Sequence, residues 1–513
     1  MPVALTYPGV YVEELTSDVH TITGVATSIT AFMGRTLRGP TDRAVLLQSY
    51  ADFIRVYGGL SLDSTVSYAV QQFFLNGGSQ AVIVRLHNGA QLAKNNLLGP
   101  VKLQAANEGT WGGQLCVRVD YATKDPTNTK LFNLFVKDMG SGVTESFRNL
   151  SVDSTDSRFV TTVLKQESQL IRVDPTSPLT GRPPANAPVL PGKDPFSDPA
   201  YYTAFNSGGD DGSPIIDNTV QTNLGLLDKV DIFNLLCIPP LTRDTDVGVD
   251  TWNNAISYAR GRRAVVLVDA PTTWNTIGNA VNGVDDASFP TRQDNAAVYF
   301  PRLLIPDPLM ENRLQAFAPC GVMAGVIART DTDRGVWKAP AGIDATLINV
   351  SALTLNGDDP ATITDPDNGQ VNPLGVNCLR NFPVIGRVAW GARTLRGADA
   401  LADQWKYLPV RRLAYYIEES LYRGTQWVVF EPNEEPLWAQ IRLNVGDFMQ
   451  TLFRQGAFQG QTPSEAYFVK CNSETTTPTD ISNGVVNILV GFAPLEPAEF
   501  VVIQIQQITA TQS

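Results

Sequence analysis

The 513-residue chain has only two histidines, His20 and His87, and they are far apart in sequence. Neither lies in an H-E-x-x-H pattern or near a plausible nucleophile, so histidine-based metal or acid–base chemistry lacks its residues. The five cysteines, Cys116, Cys237, Cys320, Cys378 and Cys471, are widely spaced and form no C-x-x-C pair. That is neither a zinc pattern nor a disulfide framework, and it predicts free, buried thiols. No apolar run approaches the ~20 residues that cross a bilayer. The start, Met1-Pro-Val-Ala-Leu5, lacks the basic segment and apolar core of a secretion signal, so synthesis in the cytoplasm is expected. The sequence contains no G-x-x-x-x-G-K-[ST] phosphate loop and no G-x-S-x-G elbow. A net charge of −12 argues against a molecule coated for nucleic acid.

The remaining hints of chemistry are weak. Asp365-Pro-Asp-Asn-Gly369 resembles a calcium loop, but Val376 stands where a bidentate Glu is needed, so it reads as a turn. Gly208-Gly-Asp-Asp-Gly212 reads as a hinge rather than a cation site. Glu418 and Glu419 are adjacent on a predicted helix and point apart, a poor arrangement for paired acid–base work. The chain is therefore expected to be no enzyme, with no catalytic residue, no metal and no cofactor.

What the chain does have is two ends built like strands. Tyr7-Pro-Gly-Val-Tyr-Val-Glu-Glu14 and Glu499-Phe-Val-Val-Ile-Gln-Ile-Gln-Gln507 alternate apolar and polar residues, as half-buried strands do. Neither has a hairpin partner nearby, so each needs a sheet edge elsewhere. Tyr7, Val10, Tyr11 and Val12 in the first arm, and Phe500, Val501, Val502, Ile503 and Ile505 in the second, are the expected inter-subunit contacts.

Between the arms the texture changes several times. Ile22–Met33 reads as a strand. Val66, Ala69, Val70, Phe73 and Phe74 form one helical stripe, capped by Asp63 or Ser64 and ended by Gly77-Gly78. The apolar run Ala81–Arg85 then reads as a buried strand, the rhythm of an α/β layer. From about Val101 to Val173 short strands such as Leu115–Val119 and Leu131–Val136 suggest a β-rich insert. It ends in a loop with eight prolines between Pro175 and Pro199. The α/β rhythm resumes near Gly208, with strands at Val230–Ile238, Ala264–Asp269 and Ala296–Phe300 and a helix at Thr251–Arg260. Turn-rich sequence from about Asp333 to Asp367 reads as a boundary. Beyond it, Leu413, Tyr416, Ile417 and Leu421 stripe a helix that stops at Gly424. Gln426–Phe430 reads as a strand, a helix runs from Pro436 to near Gly456, and Ala466–Cys471 and Val485–Val490 read as two more strands.

The stretch from Arg380 to Arg423 holds eight bases and four acids, a net +4 in an acidic chain. Two readings stay open for it: a surface that docks an acidic partner, or a face balanced by acids from elsewhere in the fold.

Several of these segments carry a resemblance. Tyr7–Glu14, Gly24-Val-Ala-Thr-Ser28, Phe73-Phe-Leu-Asn-Gly-Gly78, Gly335-Val-Trp-Lys-Ala-Pro-Ala-Gly342 and Asn372-Pro-Leu-Gly-Val-Asn377 resemble motifs of contractile tail sheath proteins. So do Ile417-Glu-Glu-Ser420, Gly424-Thr-Gln-Trp-Val-Val-Phe-Glu-Pro432 and Gly491-Phe-Ala-Pro-Leu-Glu-Pro-Ala-Glu-Phe500. The match spans nearly the whole chain, is weakest in the Pro-rich loop, and has the flavour of phage-tail-like injection particles, though tailed-phage sheaths share the same motifs.

The resemblance implies a multidomain α+β and α/β protein: an inner α+β domain completed by strands from neighbouring subunits, and an outer α/β domain carrying a β-rich insert. Mapped onto this chain, that gives an N-terminal arm at 1–20, an outer domain at 21–97 and 208–365, an insert at 98–207, an inner tube-facing domain at 366–494, and a C-terminal arm at 495–513. It implies a structural subunit that stacks as hexameric rings in a helical sheath and contracts to drive an inner tube through a target envelope. Its partners would be itself, the inner tube protein, and baseplate and terminal cap proteins, with no direct nucleic acid or membrane contact. The assembled phage tail or tail-like particle would leave the cell by lysis. Lys406, Arg411, Arg412 and Arg423 are the candidate tube contacts. Two other readings stay open at this point: a static tube wall assembled through the same arms, and an enzyme acting on a sugar or nucleotide, which needs a polar cluster that these residues do not form.

Overall fold

The computed structural model describes residues 20–504. Its elements divide into two compact units, each taken here by itself. The larger comprises Thr27–Arg334 and Lys338–Arg411; the described part of the smaller comprises residues 20–26, Gly335–Trp337 and 412–504.

An eight-stranded sheet organises the larger unit. Its strands are β1 (Thr30–Gly34), β2 (Val45–Leu47), β3 (Ala81–Arg85), β4 (Leu235–Cys237), β5 (Val265–Asp269), β6 (Ala296–Phe300), β7 (Val376–Phe382) and β8 (Gly386–Ala389), in the order β8-β7-β6-β5-β4-β1-β3-β2. Six neighbours from β7 to β3 run parallel, and β2 and β8 add antiparallel edges. Counted along the chain, the parallel strands lie in the order 6-5-4-3-1-2, so the winding reverses between β1 and β4.

Such strands are apolar throughout because helices cover both faces; every residue of β3, β5 and β6 is buried. Phe32 of β1 meets Phe73 of helix α1 (Thr65–Leu75) edge-on, with ring centroids 5.4 Å apart. Its neighbours Ala31 and Met33 join Trp252, Ala255 and Ile256 of helix α2 (Val249–Gly261) in the principal core. Alternate side chains of one strand thus meet helices on opposite faces. Ser64 caps α1 by accepting from the Ser67 N–H at 3.1 Å.

Two further sheets occupy residues 94–204. One pairs Leu115–Asp120, Leu131–Asp138 and Thr144–Ser151 with Thr203–Ala204, and the other pairs Lys94–Asn95, Leu103–Ala105 and Ile171–Val173. Leu103, Leu115, Val117, Phe132, Leu134, Phe147, Leu164 and Ile171 give them a core of their own. Between Val173 and Thr203 the Pro-rich segment forms neither helix nor strand.

Several expectations need correction. Ile22–Met33 is not one strand: Ile22 belongs to the core of the smaller unit, and β1 begins at Thr30. The strand expected over Val230–Ile238 is confined to Leu235–Cys237. The stretch 333–367 is no boundary, because Ala352–Asn356 and Asp359–Ala361 complete an antiparallel sheet with Arg302–Asp307 and Arg313–Phe317. Asp365–Gly369 opens a helix, Asp365–Val371, through a reciprocal Thr364–Asp367 capping box. The units part between Arg411 and Arg412 rather than near 366, because β7 continues the main sheet through Val376 and Asn377. Helix α3 (Cys320–Arg334), buried on all sides from Cys320 to Ala328, showed no amphipathic period to find.

The smaller unit is built from helix α4 (Leu408–Gly424, from Arg412 on), helix α5 (Glu435–Arg454), and strands β9 (Tyr467–Lys470) and β10 (Leu489–Phe492). Leu413, Ile417, Leu437, Trp438, Ile441, Val445, Phe448 and Leu452 are its core. Gln426–Phe430 is not a strand. Gln426–Val428 makes a tight turn, and Phe430 is fully exposed at φ 73°.

Candidate assembly interface

The smaller unit's sheet has two strands, paired antiparallel with Tyr467 opposite Phe492 and Lys470 opposite Leu489. Tyr467, Val469, Val490 and Phe492 pack on the core. Phe468 and Leu489 stand on the other face, about half exposed, and the Phe468 ring lies over Gly491, where any side chain would overlap it. Among the described residues no third strand joins either edge. Two strands alone are marginal in water, and open edges present a row of backbone donors and acceptors.

Of the arm residues read from the sequence, Tyr7, Val10, Tyr11, Val12 and Ile505 lie outside the described residues. Phe500, Val501, Val502 and Ile503 form no helix or strand and are 76%, 82%, 81% and 79% exposed. Four consecutive large apolar residues left in water constitute an unsatisfied surface.

Next to the N-terminal arm, residues 20–25 run along α4. Tyr416, Ser420 and Gly424 recur every four residues and so share one face of that helix. Gly24 sits so close to Tyr416 that a Cβ there would overlap the phenol. The Val25 N–H donates to Ser420 Oγ at 3.2 Å. Ile22, buried in the core, covers Gly424, where a Cβ would come within 2.6 Å of it. His20 stacks on Trp427, with ring centroids 4.2 Å apart and planes at 18°. Burial of Tyr416 pushes its hydroxyl pKa up. Gly24, Ser420, Gly424 and Trp427 all lie in segments that resemble sheath motifs, but nothing in their local pattern announces that they meet.

The basic stretch divides. Arg411 and Arg412 are buried, so they do not present a surface to a tube. Arg411 Nε lies 3.6 Å from Asp294, and its guanidinium is 4.4 Å from the Trp405 ring centroid. Arg393, fully buried, pairs with Asp399 at 3.0 Å, and Arg380 pairs with Asp365 at 2.7 Å. Acids from elsewhere, Asp294 and Asp365, therefore balance part of the excess, as the second reading held. Lys406 pairs with Asp399 at 2.8 Å and Arg423 with Glu419 at 2.7 Å; these two remain about a quarter to a third exposed. Lys406 beside Asp399 helps hold that carboxyl below the usual range.

All five cysteines are free and buried. Among the described residues no group of three or more His, Cys, Asp or Glu is arranged to hold a metal ion. No helix among them is long and apolar enough to cross a membrane.

The described residues have the fold of tail sheath proteins. It matches the contracted helical sheath of the anti-feeding prophage at 22% identity, covering 98% of this chain and 100% of that one with a TM-score of 0.59. It matches the contracted PVC sheath complex of an extracellular contractile injection system at 23%, covering both chains fully, with a TM-score of 0.58. The sheath tail protein of Listeria innocua matches at 12%, over 93% of this chain and 97% of that one, with a TM-score of 0.61. No curated protein matches the sequence. Residues 402–508 match the phage tail sheath C-terminal domain. The resemblance to contractile tail sheath proteins is borne out by this shared fold and by the C-terminal match.

Proposed function

We propose that this chain is the repeating subunit of a contractile sheath, stacked as six-membered rings around an inner tube and shortening to drive that tube through a target envelope. One observation carries the reading: a two-stranded sheet with both edges open stands in the same unit as an exposed apolar arm. An arm that adds a strand to a neighbour's sheet gains main-chain bonds and buries alternate side chains.

Burying each of Phe500, Val501, Val502 and Ile503 contributes about 1.5–3 kcal/mol. Ordering each residue's backbone costs roughly 1–2 kcal/mol. With only alternate side chains buried against the neighbour, these two contributions nearly cancel, so the main-chain bonds of the added strand, about 0.5–1.5 kcal/mol each, supply the net hold along the helix. Contraction would then exchange one set of packed interfaces for another while the arms stay paired, because packed interfaces are bistable rather than continuously deformable. The energy is stored at assembly, and no nucleotide is required. Lys406 and Arg423 remain the candidate tube contacts, and a baseplate, a terminal cap and the tube are the expected partners.

Deletion of residues 495–513 tests this. The truncated chain should stay folded and soluble yet form no sheaths by negative-stain microscopy. Normal sheaths from it would overturn the strand-exchange reading.

A further inference from the structure

In an open doubly wound sheet, the strands on either side of the winding reversal send their chains to opposite faces and leave a crevice at their carboxyl ends. Here those strands are β1 and β4. A cavity of about 350 Å³ lies at that place, within the larger unit. Arg35, the residue after β1, and Leu241 and Arg243, just beyond β4, line it together with Leu62, Ile215 and Met310. Its size falls within the range of small-ligand pockets.

The crevice is preformed. Ser64, the cap of α1, donates its hydroxyl to the Arg35 carbonyl, and Thr65 Oγ1 donates to the Pro240 carbonyl at 2.6 Å. The start of α1 is thereby stitched to the ends of both strands. No acidic residue occupies the first turn of α1, so the positive end of its dipole is not offset within the helix.

The two arginines differ in what they have left to offer. Arg243 is committed: its Nη2 bonds Asp307 Oδ2 at 2.6 Å, its Nε bonds the Leu62 carbonyl at 3.1 Å, and its guanidinium lies 5.1 Å from the Tyr68 ring centroid. Arg35 donates to two carbonyls, Asp211 O at 3.1 Å and Ser213 O at 3.5 Å, and among the described residues no carboxylate lies within ion-pair distance of it. It is a half-buried cation held in place by neutral groups. The acids of the lining, Asp63 and Asp244, are exposed and therefore well screened by water.

We propose that this crevice binds a small carboxylate with an apolar body. The carboxylate pairs with Arg35 near the start of α1, and the body lies on Leu62, Ile215, Leu241 and Met310. An Arg–carboxylate pair is charge-assisted and directional, which sets the ligand's orientation. The site is separate from the strand-exchange surface and does not depend on the sheath reading.

The test is titration of the full-length chain with phenylacetate, hexanoate and octanoate, each beside its neutral primary amide, followed by ligand-observed NMR. Saturable binding of at least one acid is expected, with its amide and the R35Q variant each weaker by at least about tenfold, the loss of one charge-assisted contact. L62W, which fills the cavity from a half-exposed position, should abolish binding while leaving the thermal unfolding midpoint unchanged, and it carries the test if R35Q folds poorly. Absence of saturable binding by all three acids, equal binding of acids and amides, or undiminished binding by R35Q or L62W would each overturn the assignment.

Discussion

Substituting Gly24 by alanine adds one methyl group where the strap crosses α4. Gly24 does not have a positive φ, so the backbone accepts alanine and the consequence is steric alone. The new Cβ would overlap the Tyr416 hydroxyl and lie 2.9 Å from Cζ, closer than real carbons approach. Either Tyr416 moves within a packed core, at about 1–3 kcal/mol, or the strap lifts. Lifting forfeits the burial of Ile22, about 1.5–3 kcal/mol, and the Val25–Ser420 hydrogen bond, about 0.5–1.5 kcal/mol. The two routes cost similar amounts, so G24A should raise the lifted population by roughly ten- to a hundredfold, since about 1.4 kcal/mol is a factor of ten.

A lifted strap frees residues 20–25, and six residues at ~3.3–3.6 Å each add about 20 Å of slack between arm and body. Hydrogen exchange at the Val25 amide reads the lifting in the soluble chain, and negative-stain images of assembled particles read the slack as lost axial order. Y416F removes the overlapping atom, so G24A/Y416F should regain much of the protection. Unchanged exchange at Val25 in G24A, or no recovery in the double variant, would refute the strap as a steric lock.

Two further outcomes follow from buried charge. Burial pushes the Asp269 carboxyl up to about 7, so between pH ~4, where the unfolded carboxyl ionises, and about 7 the unfolded state binds fewer protons than the folded one. Its contribution to stability therefore falls as pH rises through that window and is level above it. D269N should flatten the decline in thermal midpoint between pH 5 and 8, and a decline equal to that of the unaltered chain would sink the assignment. R411E places a second carboxylate beside Asp294 in a buried setting and R412E buries a new charge, so each should destabilise the free chain by ~3 kcal/mol or more. A variant of unaltered stability that merely failed to hold a tube would return these arginines to the surface.

What the sequence made legible was whatever its periodicity could encode locally. The stripe from Val66 to Phe74 identified α1, and the compact apolar runs Ala81–Arg85 and Ala296–Phe300 identified β3 and β6 to the residue, because a helix stripe and a fully buried strand are each written in consecutive residues, whichever strands they later pair with. Trp427-Val-Val-Phe430 has the composition of a strand, yet among the described residues no strand pairs with it and the chain turns straight after α4. The position of β7 is a tertiary fact: Val376 pairs with Val298, 78 positions earlier, and nothing local announces that register. Counting bases likewise could not separate Arg393, which is sealed inside, from Lys406 at the rim. Charge is read from composition, whereas burial depends on what folds over it.

The same core that anchors the strap also supports the sheet. Ile22 packs with Leu413 and Ile417 of α4, these pack with Leu437, Ile441 and Phe448 of α5, and Tyr467, Val469, Val490 and Phe492 of β9 and β10 rest on that cluster. In a strand-exchanged lattice each subunit would be loaded at two places, the root of the arm it gives and the edge of the sheet it offers. If those places stood on separate cores, tension would be lost in the compliance between them. Close-packed interiors deform little and transmit strain, so a shared core passes a pull on the outgoing arm to the incoming one. Loosening the strap should therefore weaken force transmission even in a lattice whose strand pairing is intact, which separates its role from that of the arms themselves.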